Sequence, residues 1–295
     1  MWTEVSLPPC DTDRAPVIDA HHHFWRVERG DYFWMTPEVQ PIIRDFGPDD
    51  LKPYLDRHGI ERTILVQAAA TEAETAFMLD LARASPFVAG VVGWTEFAAP
   101  DAPAAIARMA QDPLLVGLRP MVQDIPDDDW LVRPDLAPAF RALVSHGLVY
   151  DALPKPRHLS RLLVVLDRHP DLPVVVDHGA KPFIRDKRLD PWRADMAAIA
   201  ARPNTVCKLS GLATEAAADW TLDDLRPYAD HLLATFGPDR LLWGSDWPVV
   251  NLAGGYDRWR EAALQLIGGL SETERAAVLG GNAARVYLSR RGRRA

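Results

Sequence analysis

The chain has 295 residues, 48% of them hydrophobic and 25% charged, an ordinary globular composition with enough apolar residues for one large core. Its formal net charge of −8 disfavours nucleic acid as a partner. No apolar run approaches the roughly 20 residues of a membrane span, and the first ten residues lack the pattern of a secretory signal. We therefore expect a soluble, cytoplasmic protein.

The cysteines and the C-terminal arginines add to this expectation. The two cysteines, Cys10 and Cys207, are too few for a disulfide framework, and we expect both to be reduced thiols. The basic run RRGRR at 290–294 is expected to be a solvated tail.

Eight short apolar runs rich in β-branched residues predict eight strands. Near-continuous hydrophobicity, as in PVVVD, is typical of strands buried on both faces in parallel sheets. In chain order the predicted strands lie at 17–24, 62–68, 88–94, 115–121, 148–153, 173–179, 205–211 and 240–246.

Amphipathic segments follow the strands and predict helices. Clear examples lie at 73–85, 136–147 and 158–170, and in the last of these leucines recur at steps of three and four residues. Gly147 and Pro170 end two of these segments as helix ends commonly do. After the eighth strand, 256–270 and 271–288 predict two closing helices.

The strand ends recur about every 30 residues, the length that a strand, a helix and two loops require. The first interval is longer, so residues 25–48 are predicted to be a loop inserted over the barrel mouth. The pattern predicts an α/β fold with a single (β/α)₈ TIM-barrel domain over 1–295, including a leader at 1–15 and a tail at 289–295. An open, doubly wound sheet is the alternative.

Polar residues collect at the predicted C-terminal strand ends, which form the active-site face of such barrels. Alternation along the first strand places His21 and His23 on one side and His22 on the other. His178 ends the sixth strand and Asp246 the eighth. Convergence of these side chains predicts a catalytic site. Histidines satisfied by ordinary hydrogen bonds, and a non-catalytic sugar- or acid-binding barrel, are the alternatives.

Four motifs resemble one known family. DAHHHFW, VVVDHGAKP, LLWGSDWPV and GGNAARVY are similar to motifs of the amidohydrolase superfamily, and DHGAKP favours its lactonase branch. That branch contains fuconolactonase- and rhamnonolactonase-like sugar-lactone hydrolases and the 2-pyrone-4,6-dicarboxylate lactonase. The resemblance extends from about residue 16 to residue 288.

The resemblance implies ligand positions for metals, and the chain departs from two of them. The family has a bridging residue on strand four and a histidine on strand five, where this chain has Arg119 and Tyr150–Asp151. These departures argue against a two-metal site. One divalent metal, Zn²⁺ by preference, held by His21, His23 and Asp246 is chemically reasonable. Some lactonases of the branch work without metal, and we expect a metal-independent or weakly metal-binding site.

The reaction implied is hydrolysis of a small lactone. Asp246 is the candidate base that activates water, while His178, His21 and His23 would polarise the carbonyl. A neutral aldonolactone of a six-carbon deoxysugar is the expected substrate, because a pyrone dicarboxylate should need several convergent arginines. That pyrone, and a metal-dependent decarboxylase reaction on the same scaffold, are the alternatives.

Five residues are candidates for substrate contact because they lie at or near the strand ends. Cations there suit a carboxylate or a hydroxyl, and aromatic rings suit the apolar face of a sugar. They are Arg119, Lys181, Trp25, Trp247 and Tyr150. The expected partner is thus a small lactone, with neither nucleic acid nor membrane, and the sequence leaves assembly into a homo-oligomer open.

Overall fold

The strands form one parallel sheet whose order follows the chain from β1 to β8. A parallel bridge between His22 and Trp247 joins β1 to the segment just after β8, so the sheet closes into a barrel. The predicted (β/α)₈ fold is confirmed, and the doubly wound alternative is excluded by the consecutive strand order. This computed structural model describes residues 15–289. The strands are β1 Ile18–His22, β2 Arg62–Val66, β3 Val88–Gly93, β4 Leu115–Leu118, β5 Val149–Ala152, β6 Val174–Val176, β7 Thr205–Leu209 and β8 Leu241–Trp243.

Helices follow the strands, and their ends have the expected capping residues. The Thr71 side chain accepts a hydrogen bond from the Glu74 N–H at the start of α2, and Ser271 pairs with Glu274 in a capping box at the start of α10. The helices are α1 Pro48–His58, α2 Glu72–Ala84, α3 Ala102–Met109, α4 Ala137–Ser145, α5 Leu159–Arg168, α6 Trp192–Ala200, α7 Leu212–Glu215, α8 Leu222–Phe236, α9 Gly255–Leu266 and α10 Glu272–Ala276.

The barrel interior is a packed core rather than a pore. Each of the eight strands contributes at least one branched aliphatic side chain. The members of this inner core are Ile18, Ala20, Ile64, Val66, Val92, Val116, Val149, Val175, Val206, Leu242, Ala283 and Tyr287. A larger apolar layer fills the space between the sheet and the helices.

The inserted segment after β1 lies at the C-terminal end of the barrel, as predicted. Trp25 and Phe46 exchange two backbone hydrogen bonds of 3.0 and 3.1 Å, which close the segment at its base. Two 3₁₀ turns lie between them, at Val27–Arg29 and Pro37–Ile42. The Trp34 indole N–H donates to the Ala68 carbonyl just after β2, so the segment is fastened beside the mouth.

The C-terminal segment differs from the single helix predicted over 271–288. After α10 the chain forms two π-helical turns, Ala277–Gly281 and Ala284–Leu288. The break falls at Gly280, where a Cβ would lie 1.8 Å from the Pro16 carbonyl oxygen. The chain thus passes so close to the residues before β1 that only glycine fits.

The structure also bears on the predictions about membrane spans and cysteines. Among residues 15–289, no helix is both long and apolar enough to cross a bilayer. Cys207 is a buried free thiol, and its burial raises its pKa. Cys10, most of the predicted leader and the basic run at 290–294 lie outside the described residues.

Candidate active site

A bulge in β1 sets the directions of the three histidines. The register with β2 shifts between Asp19 and His22. His22 turns outward, where its Nε2 lies 2.8 Å from Thr63 Oγ1. His21 and His23 turn into the mouth, with their Nε2 atoms 3.2 Å apart. The structure therefore places the outer pair together and His22 behind them.

His178 and Asp246 follow β6 and β8 in tight turns. Both residues have left-handed backbone conformations, with φ of +54° and +58°. For residues other than glycine this conformation costs about 1–2 kcal/mol each, and such strain clusters at functional sites. The Asp246 N–H donates to the His21 carbonyl at 2.8 Å, which holds the turn against β1.

The Asp246 carboxylate lies at the centre of three imidazoles. Its Oδ1 is 3.3 Å from Nε2 of His23, 3.7 Å from Nε2 of His21 and 3.8 Å from Nε2 of His178. Asp246 and His23 are each only 4% exposed, so the cluster is almost entirely shielded from solvent. The four predicted catalytic side chains are brought together at one point.

Beneath this cluster lies a buried network of charges. Lys208 Nζ contacts Asp151 Oδ2 at 2.6 Å and Asp177 Oδ1 at 2.9 Å. Arg119 donates to Asp177 Oδ2 at 2.9 Å. The Tyr287 hydroxyl enters from the other end of the barrel and donates to the Asp151 carboxylate. Two cations therefore face two carboxylates inside the barrel, which is the pairing that buried charges require.

The protonation states of the cluster follow from burial and these charges. Burial lowers the pKa of His178 to about 4, and burial together with the charge of Lys208 lowers the pKa of His21 well below 6.5. Burial acts to raise the pKa of Asp246, but the neighbouring His178 and His23 outweigh it and hold that pKa below 3.8. At neutral pH the mouth thus holds an ionised carboxylate beside the neutral imidazoles of His21 and His178.

One set of side chains at the mouth fits a single divalent metal. His21, His23 and Asp246 each offer a ligand atom within 4.8 Å of the others, and two imidazoles with a carboxylate are a donor set that suits Zn²⁺. A second set, His21 with Asp177 and His178, meets the same distance limit. The Lys208 ammonium contacts both His21 and Asp177, so a cation bound there would meet a fixed positive charge.

Two of the predicted substrate contacts lie at the mouth, with partners of their own. Arg119 is buried, donates to the Gln67 carbonyl as well as to Asp177, and has NH1 3.4 Å from Nε2 of His21. Its hydrogen bonds make it a member of the charge network rather than a free cation. Lys181 is half-buried with Nζ 3.5 Å from Glu215 Oε1, and its charge contributes to the low pKa of Asp246.

The structure does not bring the other three predicted contacts to the opening, which corrects that expectation. Tyr150 packs against Phe97 and Phe140 on the helix-facing side of β5, because its neighbour Asp151 points inward. Trp247 packs against Phe24 and Phe46 behind β1. Trp25 is fully buried and stacks on the His23 ring, which it supports from behind.

Sequence reasoning missed Asp177 and Lys208. The signal for Lys208 is a charged residue in the middle of the apolar strand sequence TVCKLSG, and the signal for Asp177 is its position beside His178. Lys and Asp are almost never fully buried unless they are paired. Ser210 was also missed as a partner: its Oγ lies 2.9 Å from Nδ1 of His178.

A cavity of about 560 Å³ lies beside the cluster, between the inserted segment and the loops after β3 and β4. Trp25 separates it from His23, because Trp25 contacts Trp34 in the cavity wall. Three tryptophans and three acids are among its lining residues: Trp34, Trp94, Trp130, Asp31, Glu96 and Asp124. Among its described lining residues there is no lysine, arginine or histidine.

A (β/α)₈ barrel with histidines from β1, a histidine after β6 and an aspartate after β8 at its C-terminal mouth has the architecture of a barrel hydrolase. The chain belongs to the amidohydrolase family, whose model matches residues 18–288. The predicted superfamily is confirmed.

Relatives and solved structures agree with this assignment. The chain is 46% identical over 276 residues to an L-fucono-1,5-lactonase of Burkholderia ambifaria, with 92% of this chain and 94% of the relative covered. It is 39% identical to an L-fucono-1,5-lactonase of Burkholderia multivorans, with 92% and 95% covered. A crystal structure of a Burkholderia multivorans amidohydrolase with bound zinc superposes with a TM-score of 0.88 at 38% identity, with 92% and 99% covered. The expected lactonase relatives are thus found.

Proposed function

We propose that this protein hydrolyses a neutral sugar lactone, L-fucono-1,5-lactone or a close analogue, to the open-chain aldonate. The observation that supports this most strongly is the ionised Asp246 carboxylate within 3.3–3.8 Å of three imidazole nitrogens at the barrel mouth. A carboxylate in that position can accept a proton from water, and neutral imidazoles can donate to an oxygen that becomes negative.

Asp246 acts first as the base. Its carboxylate takes a proton from a water molecule as the water oxygen forms a bond to the lactone carbonyl carbon. When the tetrahedral intermediate collapses, the bond from that carbon to the ring oxygen breaks, and Asp246 returns the proton to the departing alkoxide. The low pKa of Asp246 keeps the carboxylate ionised before each turnover.

His178 and His21 stabilise the developing oxyanion. Both imidazoles are neutral at pH 7 because their pKa values are lowered, so each has one N–H to donate. The Ser210 hydroxyl, 2.9 Å from Nδ1 of His178, orients that ring. Fixed donors of this kind contribute about 3–4 kcal/mol to transition-state stabilisation.

The reaction we propose does not depend on a metal. A divalent metal held by His21, His23 and Asp246 would supply Lewis-acid polarisation of the carbonyl. In this chain Arg119 and Lys208 already place two positive charges beneath the cluster, 3.4 Å from Nε2 and 3.0 Å from Nδ1 of His21. Because Asp151 and Asp177 balance these two charges, their contribution is to hold the neutral His21 ring at the mouth, where its N–H can donate to the oxyanion.

The cavity beside the cluster favours a neutral substrate. Although Trp25 separates this cavity from His23, its acids Asp31, Glu96 and Asp124 lie near the mouth and would repel an approaching dicarboxylate at long range. The same acids favour departure of the aldonate, because hydrolysis converts a neutral ring into an anion.

A substrate panel tests this function. Purified full-length protein is assayed with freshly prepared L-fucono-1,5-lactone, other 1,4- and 1,5-aldonolactones and 2-pyrone-4,6-dicarboxylate, with and without a chelator, after subtraction of spontaneous hydrolysis. We expect turnover of a neutral 1,5-lactone that survives chelation. Turnover of the pyrone alone would refute the substrate class, and tightly bound stoichiometric Zn²⁺ without lactonase activity would favour a decarboxylase instead.

A further inference from the structure

Lys208 contacts one of the mouth histidines from below. It is 0% exposed on β7, and besides its two carboxylate partners its Nζ lies 3.0 Å from Nδ1 of His21. An ammonium group has three hydrogens and no lone pair, so each of its three partners must accept a hydrogen bond. Nδ1 of His21 therefore presents a lone pair, and the proton of this neutral ring lies on Nε2.

The hydrogen bonds of His23 agree with a proton on Nε2 of His21. Nδ1 of His23 lies 2.8 Å from the Val66 carbonyl oxygen, which can only accept, so the His23 proton is on Nδ1. In a neutral His23 ring, Nε2 then has a lone pair that faces the N–H of His21 at 3.2 Å. The Asp246 Oδ1 lies 3.3 Å from the same Nε2 and 3.7 Å from Nε2 of His21, so the His21 N–H is the donor that these two acceptors share. Donors point in one direction from Lys208 through His21 and His23 to Val66.

The opposite tautomer of His21 meets two conflicts. An Nδ1–H could donate to Asp177 Oδ1 at 3.4 Å, but it would point a hydrogen toward the ammonium 3.0 Å away. It would also set two Nε2 lone pairs against each other at 3.2 Å. Arg119 NH1 donates one hydrogen to Asp177 Oδ2 at 2.9 Å, and its second hydrogen favours this tautomer, but Nε2 of His21 is 3.4 Å away, farther than Lys208 is from Nδ1. The shorter contacts select the proton on Nε2.

We propose that Lys208 fixes His21 with its proton on Nε2, so that the mouth presents a hydrogen-bond donor instead of a pair of metal ligands. A metal bound by both Nε2 atoms requires the His21 proton to move to Nδ1, against Lys208. Lys208 is thus a positioning residue that weakens metal binding and keeps an oxyanion donor in place. Its effect on turnover rests on the proposed lactonase function, whereas the tautomer and the metal affinity do not.

The tautomer can be measured in the unmodified protein. The full chain is labelled with ¹⁵N-histidine, treated with a chelator and examined by long-range ¹H–¹⁵N correlation spectroscopy, and His21 is assigned by the signals lost in His21→Gln. We expect a protonated Nε2 and an unprotonated Nδ1. A protonated Nδ1 in the metal-free protein would overturn the proposal, and this result needs no change at Lys208.

Metal affinity gives a second, independent test. Zn²⁺ titrations against a competing chelator compare wild type with Lys208→Met and with Lys208→Arg, which retains the cation and its donors. We expect Lys208→Met to bind Zn²⁺ about 10–100-fold more tightly, and Lys208→Arg to resemble wild type. Partners that support a metal ligand change affinity by this factor, and here the sign is reversed because Lys208 opposes the metal-binding tautomer. Unchanged affinity in a folded Lys208→Met would overturn the proposal.

A charge-balanced variant covers the case in which Lys208→Met does not fold. Lys208→Met combined with Asp151→Asn removes one charge of each sign, and the same gain in Zn²⁺ affinity is expected.

The proposed function and the proposed tautomer can be refuted separately. An Nε2–H tautomer in a protein without lactonase activity refutes only the function, and an active lactonase with the His21 proton on Nδ1 refutes only the tautomer.

Discussion

Gly211 lies directly against the His178 imidazole, and adding one methyl group there tests whether the position of this ring matters. Gly211 has φ of +65°, and a Cβ built on it would lie 2.6 Å from Cγ of His178. Restoring an ordinary contact of 3.4 Å requires the ring to move by about 0.8 Å in Gly211→Ala.

A displacement of this size predicts a large kinetic effect. Misplacing a catalytic group by about 1 Å can cost 10²-fold in rate, so we expect kcat/KM to fall about 10²-fold. That loss corresponds to about 2.7 kcal/mol, slightly less than the roughly 3–4 kcal/mol of a whole oxyanion donor, as expected for a ring that is displaced but still present. The assay is proton release during lactone hydrolysis in weak buffer.

Gly59→Ala is the matched control. Gly59 has a similar φ of +61°, but no heavy atom lies within 4 Å of the Cβ site. Both variants lose about 1 kcal/mol of stability because alanine disfavours positive φ, while Gly59→Ala should keep full activity. Wild-type kcat/KM in a folded Gly211→Ala would refute the role given to His178.

Two other predictions concern the effect of buried ionisable side chains on stability. Burial raises the pKa of Glu74 to about 8 from 4.5, so the folded state holds a proton that the unfolded chain has lost; stability should therefore fall as pH rises from about 4.5 to about 8. Glu74→Gln should abolish that fall. If urea denaturation gave the same change in the free energy of unfolding between about pH 5 and about pH 9 for wild type and for Glu74→Gln, the prediction would be contradicted. Arg119→Met leaves Asp177 with one cation fewer and should lower the free energy of unfolding by about 3–5 kcal/mol, whereas a loss below about 1 kcal/mol would show that the pair contributes little.

The barrel and the mouth cluster could be predicted because their signals are local. Buried parallel strands are continuous apolar runs, and the polar residue that ends each run lies at the same edge of the barrel. His21, His23, His178 and Asp246 were found in this way, and the structure places their side chains within a few ångströms of one another.

Except for Arg119, which follows the end of β4, the charge network could not be predicted from position at strand ends, because the pairing of its members lies one layer deeper. Lys208 lies inside β7, and its role depends on Asp151 and Asp177, which are distant in sequence. Side chains alternate between the two faces of a strand, and Asp151 points into the barrel. Applied to β5, this alternation would have predicted that the neighbouring Tyr150 faces the helices and not the mouth. Alternation alone is insufficient near a site, because the bulge in β1 changes which residues face the barrel interior: Ile18 and Ala20 do so before it, and His21 and His23 after it.

The measurement that tests the central claim most directly is turnover of L-fucono-1,5-lactone by Asp246→Asn in the presence of a chelator. Asn keeps the size of the side chain but cannot take a proton from water, so we expect kcat to fall about 10²–10⁴-fold with unchanged thermal stability. Asp80→Asn, at an exposed carboxylate on α2, should retain wild-type activity. Turnover by a folded Asp246→Asn within about tenfold of wild type would contradict base catalysis by Asp246.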